Sequence, residues 1–150
     1  MKVPGPDHPI TVTDAPERWR VRYANHVIAD SADALLLKEA DYPPVVYFPR
    51  EDVSMEYLAR TDHHTHCPYK GEASYFSLNM DGNLAENAVW TYEDPYPAMT
   101  AIAGRLAFYP DKAEIYQVED AAVNPRHAER AQIDETVLHT DAGDGRSQRP

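Results

Sequence analysis

Residues 62–76 read DHHTHCPYKGEASYF, and the second half of this stretch decides the fold class. Ala73, Tyr75 and Ser77 alternate with Ser74, Phe76 and Leu78, the two-residue period of a β-strand. The strand should stop at Asp81-Gly82, a dipeptide suited to a tight turn. The first half, with His63, His64 and His66 ahead of the single cysteine Cys67, reads as a solvated loop.

Strand signals continue on both sides. Residues 18–23, RWRVRY, place Trp19, Val21 and Tyr23 on one face and three arginines on the other. Asn25 offers a turn, and residues 26–29 return as a hairpin partner. Residues 34–39, ALLLKE, and 45–48, VVYF, read as strands separated by Pro43-Pro44. Residues 88–92, AVWTY, form another strand. GRLAFY (104–109) and AEIYQV (113–118) read as a hairpin across Pro110-Asp111. One helix is expected at residues 49–61, where Glu51 and Asp52 occupy the first turn and Val53/Tyr57 and Met55/Leu58 recur at helical spacing. The fold class is therefore mainly β, with one short helix near residues 50–60.

The organisation follows from composition. Residues 1–16 hold four prolines and read as an arm. Residues 17–118 carry the strands and form a single domain. Residues 119–150 lose the strand pattern, and their small, polar end is expected to be disordered. A chain of 150 residues with 43% hydrophobic content can bury one core. No run approaches the ~18 apolar residues of a membrane span, and the start has no apolar leader core, so a cytoplasmic protein is expected. A formal charge of −11 argues against nucleic-acid and anionic-membrane partners. The single cysteine excludes an intramolecular disulfide and a CxxC zinc knuckle.

Five blocks in order, VIADSADALLLKE, YFPREDV, THCPYKGEASY, AVWTYEDP and GRLAFYP, resemble the domain-of-unknown-function 427 family. The resemblance covers about residues 18–118. It implies curved antiparallel sheets of the β-tent (Mss4-like) type. Relatives with that fold often hold zinc through paired CxxC motifs, which this chain lacks, so neither a metal site nor a cofactor is expected. The family pattern includes Cys67, Lys70, Gly71 and Tyr75 without assigning them a role. Polymerase-type nucleotidyl transfer would need paired carboxylates, and the chain has no Asp-x-Asp.

Two functional readings follow. In the first, a central small-molecule pocket is catalytic. Cys67 is nucleophile or redox centre, Lys70 is the cation that lowers the thiol pKa, and Glu39 is a base or orients Arg50. Arg50 anchors an anionic ligand group, and Tyr47, Tyr75, Trp90 and Tyr92 line the walls. In the second, the chain is a non-catalytic ligand-binding or protein-interaction module. Each residue also has a structural alternative: a packed thiol for Cys67, an ion pair between Arg50 and Glu39, and plain core for the aromatics.

Overall fold

A computed structural model describes residues 1–118, and the proposed C-terminal extension lies outside the described residues. Among the described residues, ten strands form three antiparallel sheets. Strands β1 (Ile10–Asp14), β4 (Leu35–Glu39) and β5 (Val45–Tyr47) make the first, in the order β1-β4-β5. Strands β2 (Arg18–Tyr23), β3 (His26–Ser31) and β10 (Glu114–Val118) make the second, in the order β10-β2-β3. The third comprises β6 (Leu58–Cys67), β7 (Gly71–Met80), β8 (Asn83–Thr91) and β9 (Leu106–Phe108), neighbours in chain order. Phe48 joins the first sheet to the third: its N–H donates to Leu106 O at 2.8 Å, and Leu106 N–H donates back at 2.9 Å.

The third sheet is the common wall of two cores. Period-two alternation sends Phe76, Leu78, Val89, Leu106 and Phe108 to one face, where they meet Trp19, Val21 and Ile28 of the second sheet. It sends Ala73, Tyr75, Trp90, Tyr92, Ala107 and Tyr109 to a second core with Leu37, Val45 and Tyr47 of the first sheet. Strand β5 serves both, with Val46 in one core and Val45 and Tyr47 in the other. The mainly β, antiparallel-sheet reading of the sequence therefore stands.

The arginine face of β2 is a cross-strand pairing surface. Arg18 Nε donates to Asp30 Oδ1 at 2.7 Å, Arg20 reaches the same carboxylate at 3.2 Å, and Arg22 meets Glu114 at 3.0 Å. Burial alone would raise the Asp30 pKa, but the Arg18 hydrogen bond and the Arg18 and Arg20 charges outweigh it and hold the carboxyl below its usual range.

Four local expectations are corrected. The helix over residues 49–61 is two 3-10 turns, Arg50–Asp52 and Met55–Tyr57. Val53 between them is extended and bridges Ala29, and Ser54 N–H donates to Ile28 O at 2.8 Å, so sheet hydrogen bonding interrupts the turn after three residues. The HHTHC stretch is the end of β6, an edge strand whose histidines are exposed. Polar residues there satisfy an edge, which is why alternation did not reveal it. Residues 10–14, inside the proline-bearing arm, pair with β4 from Ile10↔Glu39 to Asp14↔Leu35. Finally, β9 and β10 are not a hairpin. Strand β9 pairs with β8, and Tyr109 N–H donates to Ala88 O at 2.9 Å, whereas β10 crosses to β2. The other edge of β9 is bridged to Phe48 through Leu106, so the chain turns away after Tyr109 instead of folding back on it.

Candidate functional site

Of the eight residues singled out by sequence, five converge in the second core: Tyr47, Cys67, Tyr75, Trp90 and Tyr92. The sheet register explains the convergence. Tyr75 of β7 stands opposite Trp90 of β8, which stands opposite Ala107 of β9. The Trp90 ring meets Tyr109 at 4.5 Å and Tyr47 edge-on at 6.3 Å, and its Nε1–H donates to Tyr47 Oη at 3.2 Å. Burial pushes the Tyr47 phenol pKa up, opposed in part by the Trp90 hydrogen bond; burial also pushes Tyr92 up. Both phenols therefore stay neutral at physiological pH. Tyr92 Oη has no hydrogen-bond partner among the described residues.

Glu39 and Lys70 form a buried ion pair beside this core. Lys70 Nζ donates to Glu39 Oε1 at 2.6 Å, and the two side chains are 2% and 7% exposed. The other carboxylate oxygen accepts from His8 Nε2 at 2.7 Å, and the Lys70 ammonium lies 5.9 Å from the Tyr92 ring centroid. Glu39 is at the end of β4 and Lys70 in the turn between β6 and β7. Gly71 closes that turn with φ +112°, and Tyr96 N–H donates to Lys70 O at 3.0 Å. An added Cβ at Gly71 would approach Pro95 Cα at 3.5 Å in a backbone conformation that L side chains rarely adopt.

Arg50 stands apart. It does not pair with Glu39; its Nη2 donates to Glu93 at 3.2 Å and its Nε to Gly104 O at 3.3 Å. Arg60 shares Glu93 at 2.7 Å, and both guanidinium groups lie over Phe76, on the opposite face of the sheet from Tyr75. The Arg60 hydrogen bond dominates in holding the Glu93 carboxyl below its usual range. The three histidines also separate. His63 lies against Tyr75, His66 meets Tyr96, and among the described residues no three His, Cys, Asp or Glu side chains gather as a metal site.

Cys67 is 5% exposed at the end of β6. Native protein treated with iodoacetamide at neutral pH should leave the thiol unmodified over a time in which denatured protein is fully labelled. Mass spectrometry checks this, and rapid native labelling would restore the nucleophile reading.

Sequence reasoning missed two contributors. His8 lies in a proline-rich arm without periodicity, and nothing local marks it. Tyr109 was legible: it alternates with Ala107 and so shares the Trp90 face. Tyr75 Oη contacts Thr65 Oγ1 at 2.9 Å and Tyr109 Oη at 3.4 Å. These two phenols border a cavity of about 330 Å³ lined also by His63, Glu86, Asn87, Asp111 and Lys112.

Residues 11–119 match the family described as Domain of unknown function (DUF427). The chain belongs to that family. The match spans every strand but the first residue of β1, and it contains all eight sequence-selected residues. Membership brings no assigned activity. No curated protein matches the chain. Among the described residues, no helix is long and apolar enough to cross a membrane.

Proposed function

We propose that the chain is a non-catalytic ligand-binding protein whose site is the cavity bordered by Tyr75 and Tyr109. The supporting observation is the cavity itself: about 330 Å³, at the lower end of the range for small-molecule sites, and bordered by two buried tyrosines whose hydroxyls meet at 3.4 Å. Trp90 buttresses Tyr109 from the core side, and Thr65 orients Tyr75. The lining holds two carboxylates, Glu86 and Asp111, and one ammonium, Lys112. That balance favours an uncharged molecule rich in hydroxyl or amide groups over the anion that Arg50 would have anchored.

Catalysis through Cys67 and Lys70 is the less supported reading. The Lys70 ammonium is committed to Glu39, and Cys67 is packed in the core.

Amide chemical-shift mapping with a set of small polyols and amides tests the proposal. Hits should perturb His63, Tyr75, Asn87, Tyr109 and Lys112 together. Tyr75→Phe, which keeps the ring and removes the hydroxyl, should weaken such a hit by about 2- to 12-fold, the equivalent of about 0.5–1.5 kcal/mol for one hydrogen bond. Hits that map elsewhere, or a Tyr75→Phe variant that binds as tightly, would remove the basis for this site.

A further inference from the structure

The N-terminal segment ahead of β1 crosses the β6–β7 turn as a strap. Lys2 N–H donates to Pro68 O at 2.7 Å, and Ala40 N–H donates to Pro9 O at 2.8 Å, so the strap is tied at both ends. Between them Gly5 and His8 exchange backbone hydrogen bonds at 3.3 and 3.0 Å, folding the segment into a tight turn. Pro6, Asp7 and Pro9 are exposed around that turn, while His8 is turned inward. Little apolar burial holds the strap in place, and the His8 ring is its anchor.

The ring sits in a seat with two distinct parts. Its plane stacks on Tyr69 at 4.2 Å between centroids, inclined by 10°. Its Nε2 donates to Glu39 Oε2 at 2.7 Å. Glu39 is held from behind by Lys70, which takes the other carboxylate oxygen and balances its charge. An aromatic floor and one oriented, buried acceptor make a recognition element for a flat ring bearing an N–H group. Because Lys70 already meets the charge, the seat requires a donor and not a full cation.

We propose that Tyr69 and Glu39 form a binding seat for a planar nitrogen heterocycle with an N–H donor, of the imidazole type, and that His8 occupies it as a tethered competitor. The seat is separate from the Tyr75–Tyr109 cavity and stands or falls independently of it. A ring tethered by a short segment acts at an effective concentration in the millimolar range, so it masks the seat from free ligand without abolishing it. Releasing the strap would vacate a site beside the buried Glu39–Lys70 pair at the margin of the second core.

The test uses the full chain and imidazole as probe, at a pH well above the imidazole pKa so that the free ring is neutral. Backbone amide signals of Tyr69, Lys70 and Gly71 are followed during titration. With an effective concentration of about 1 mM and an intrinsic Kd of about 0.1 mM for the vacated seat, the His8→Ala variant should bind imidazole at these residues about tenfold more tightly than the unaltered chain. N-methylimidazole, which stacks but has no N–H when neutral, should bind His8→Ala about 10- to 100-fold more weakly than imidazole does, as expected for loss of one hydrogen bond to a carboxylate. His8→Ser provides a second vacated seat should His8→Ala lose its fold, with tryptophan fluorescence reporting integrity. Equal affinity in the unaltered and vacated chains would overturn the competitor role. Equal binding of the two probes would overturn the Glu39 contact. Unfolding of both His8 variants would make His8 a structural anchor and end the proposal.

Discussion

Lys70→Met should lower the unfolding free energy by about 3–5 kcal/mol, the usual penalty for removing one partner of a buried ion pair. The magnitude follows from what is left behind. Glu39 would keep its bond to His8 but lose the ammonium at 2.6 Å, and its side chain is only 7% exposed. Most of the loss would therefore be the penalty of a poorly compensated buried carboxylate and not the intrinsic worth of the pair. The double variant Glu39→Gln/Lys70→Met separates the two quantities. With both charges gone, it should recover a large part of the loss, since apolar or neutral replacements of buried pairs are often close to neutral. Urea denaturation of the two single variants and the double variant gives the coupling directly, provided the denaturant slope is unchanged. A Lys70→Met variant within about 1 kcal/mol of the parent would mean that the pair behaves as a solvated surface bridge.

Trp90→Ala should be comparably severe, at about 3–5 kcal/mol, with the melting temperature falling by about 10–20 °C. Three losses coincide. The side chain is 1% exposed, so a large cavity opens in the second core. Tyr47 Oη loses its donor, and Tyr109 loses the ring packed at 4.5 Å. Trp90→Phe retains most of the packing and removes the donor, so it should cost markedly less. Thermal unfolding followed by circular dichroism distinguishes them. The same comparison bears on the proposed ligand site, because Tyr109 borders the cavity. Trp90→Ala should weaken a cavity ligand even under conditions where the protein remains folded.

The sequence disclosed the strands whose two faces differ or whose residues are strongly apolar. Strands β2, β7 and β8 were legible because Trp19, Tyr75 and Trp90 each recur with in-phase neighbours, and β4 and β5 because ALLLKE and VVYF are short, strongly apolar runs between turn signals. Strand β6 was hidden because an edge strand is free to be polar, and HHTHC has no apolar phase. The expected helix rested on two apolar spacings over residues 49–61. Those same residues satisfy the edge of β3 at Val53 and Ser54, and the tertiary hydrogen bond prevailed over local periodicity.

The candidate site divides in the same way. Alternation placed Trp90 and Tyr92 on one face, whereas the register that sets Tyr75 across from Trp90 belongs to the assembled sheet. The choice of ionic partners did not follow. Glu39, Arg50 and Lys70 were all plausible neighbours by composition. Only the register of β1 on β4 brings His8 to Glu39, and only the β6–β7 turn brings Lys70 there across 31 residues. Pairing of charges is a property of assembled strands, and no local pattern carries it.

The wall shared by the two cores has a kinetic consequence. Strands β7 and β8 are hydrogen-bonded on both edges and covered on both faces near Tyr75, Phe76, Val89 and Trp90. Their amide protons there can reach solvent only when both cores open together, so they should exchange with deuterium at a rate set by global unfolding. The β6 amides on the edge that pairs with no other strand among the described residues need no such event and should exchange first. The chain would thus keep time on two clocks, a slow one at its centre and a fast one along the histidine-bearing rim.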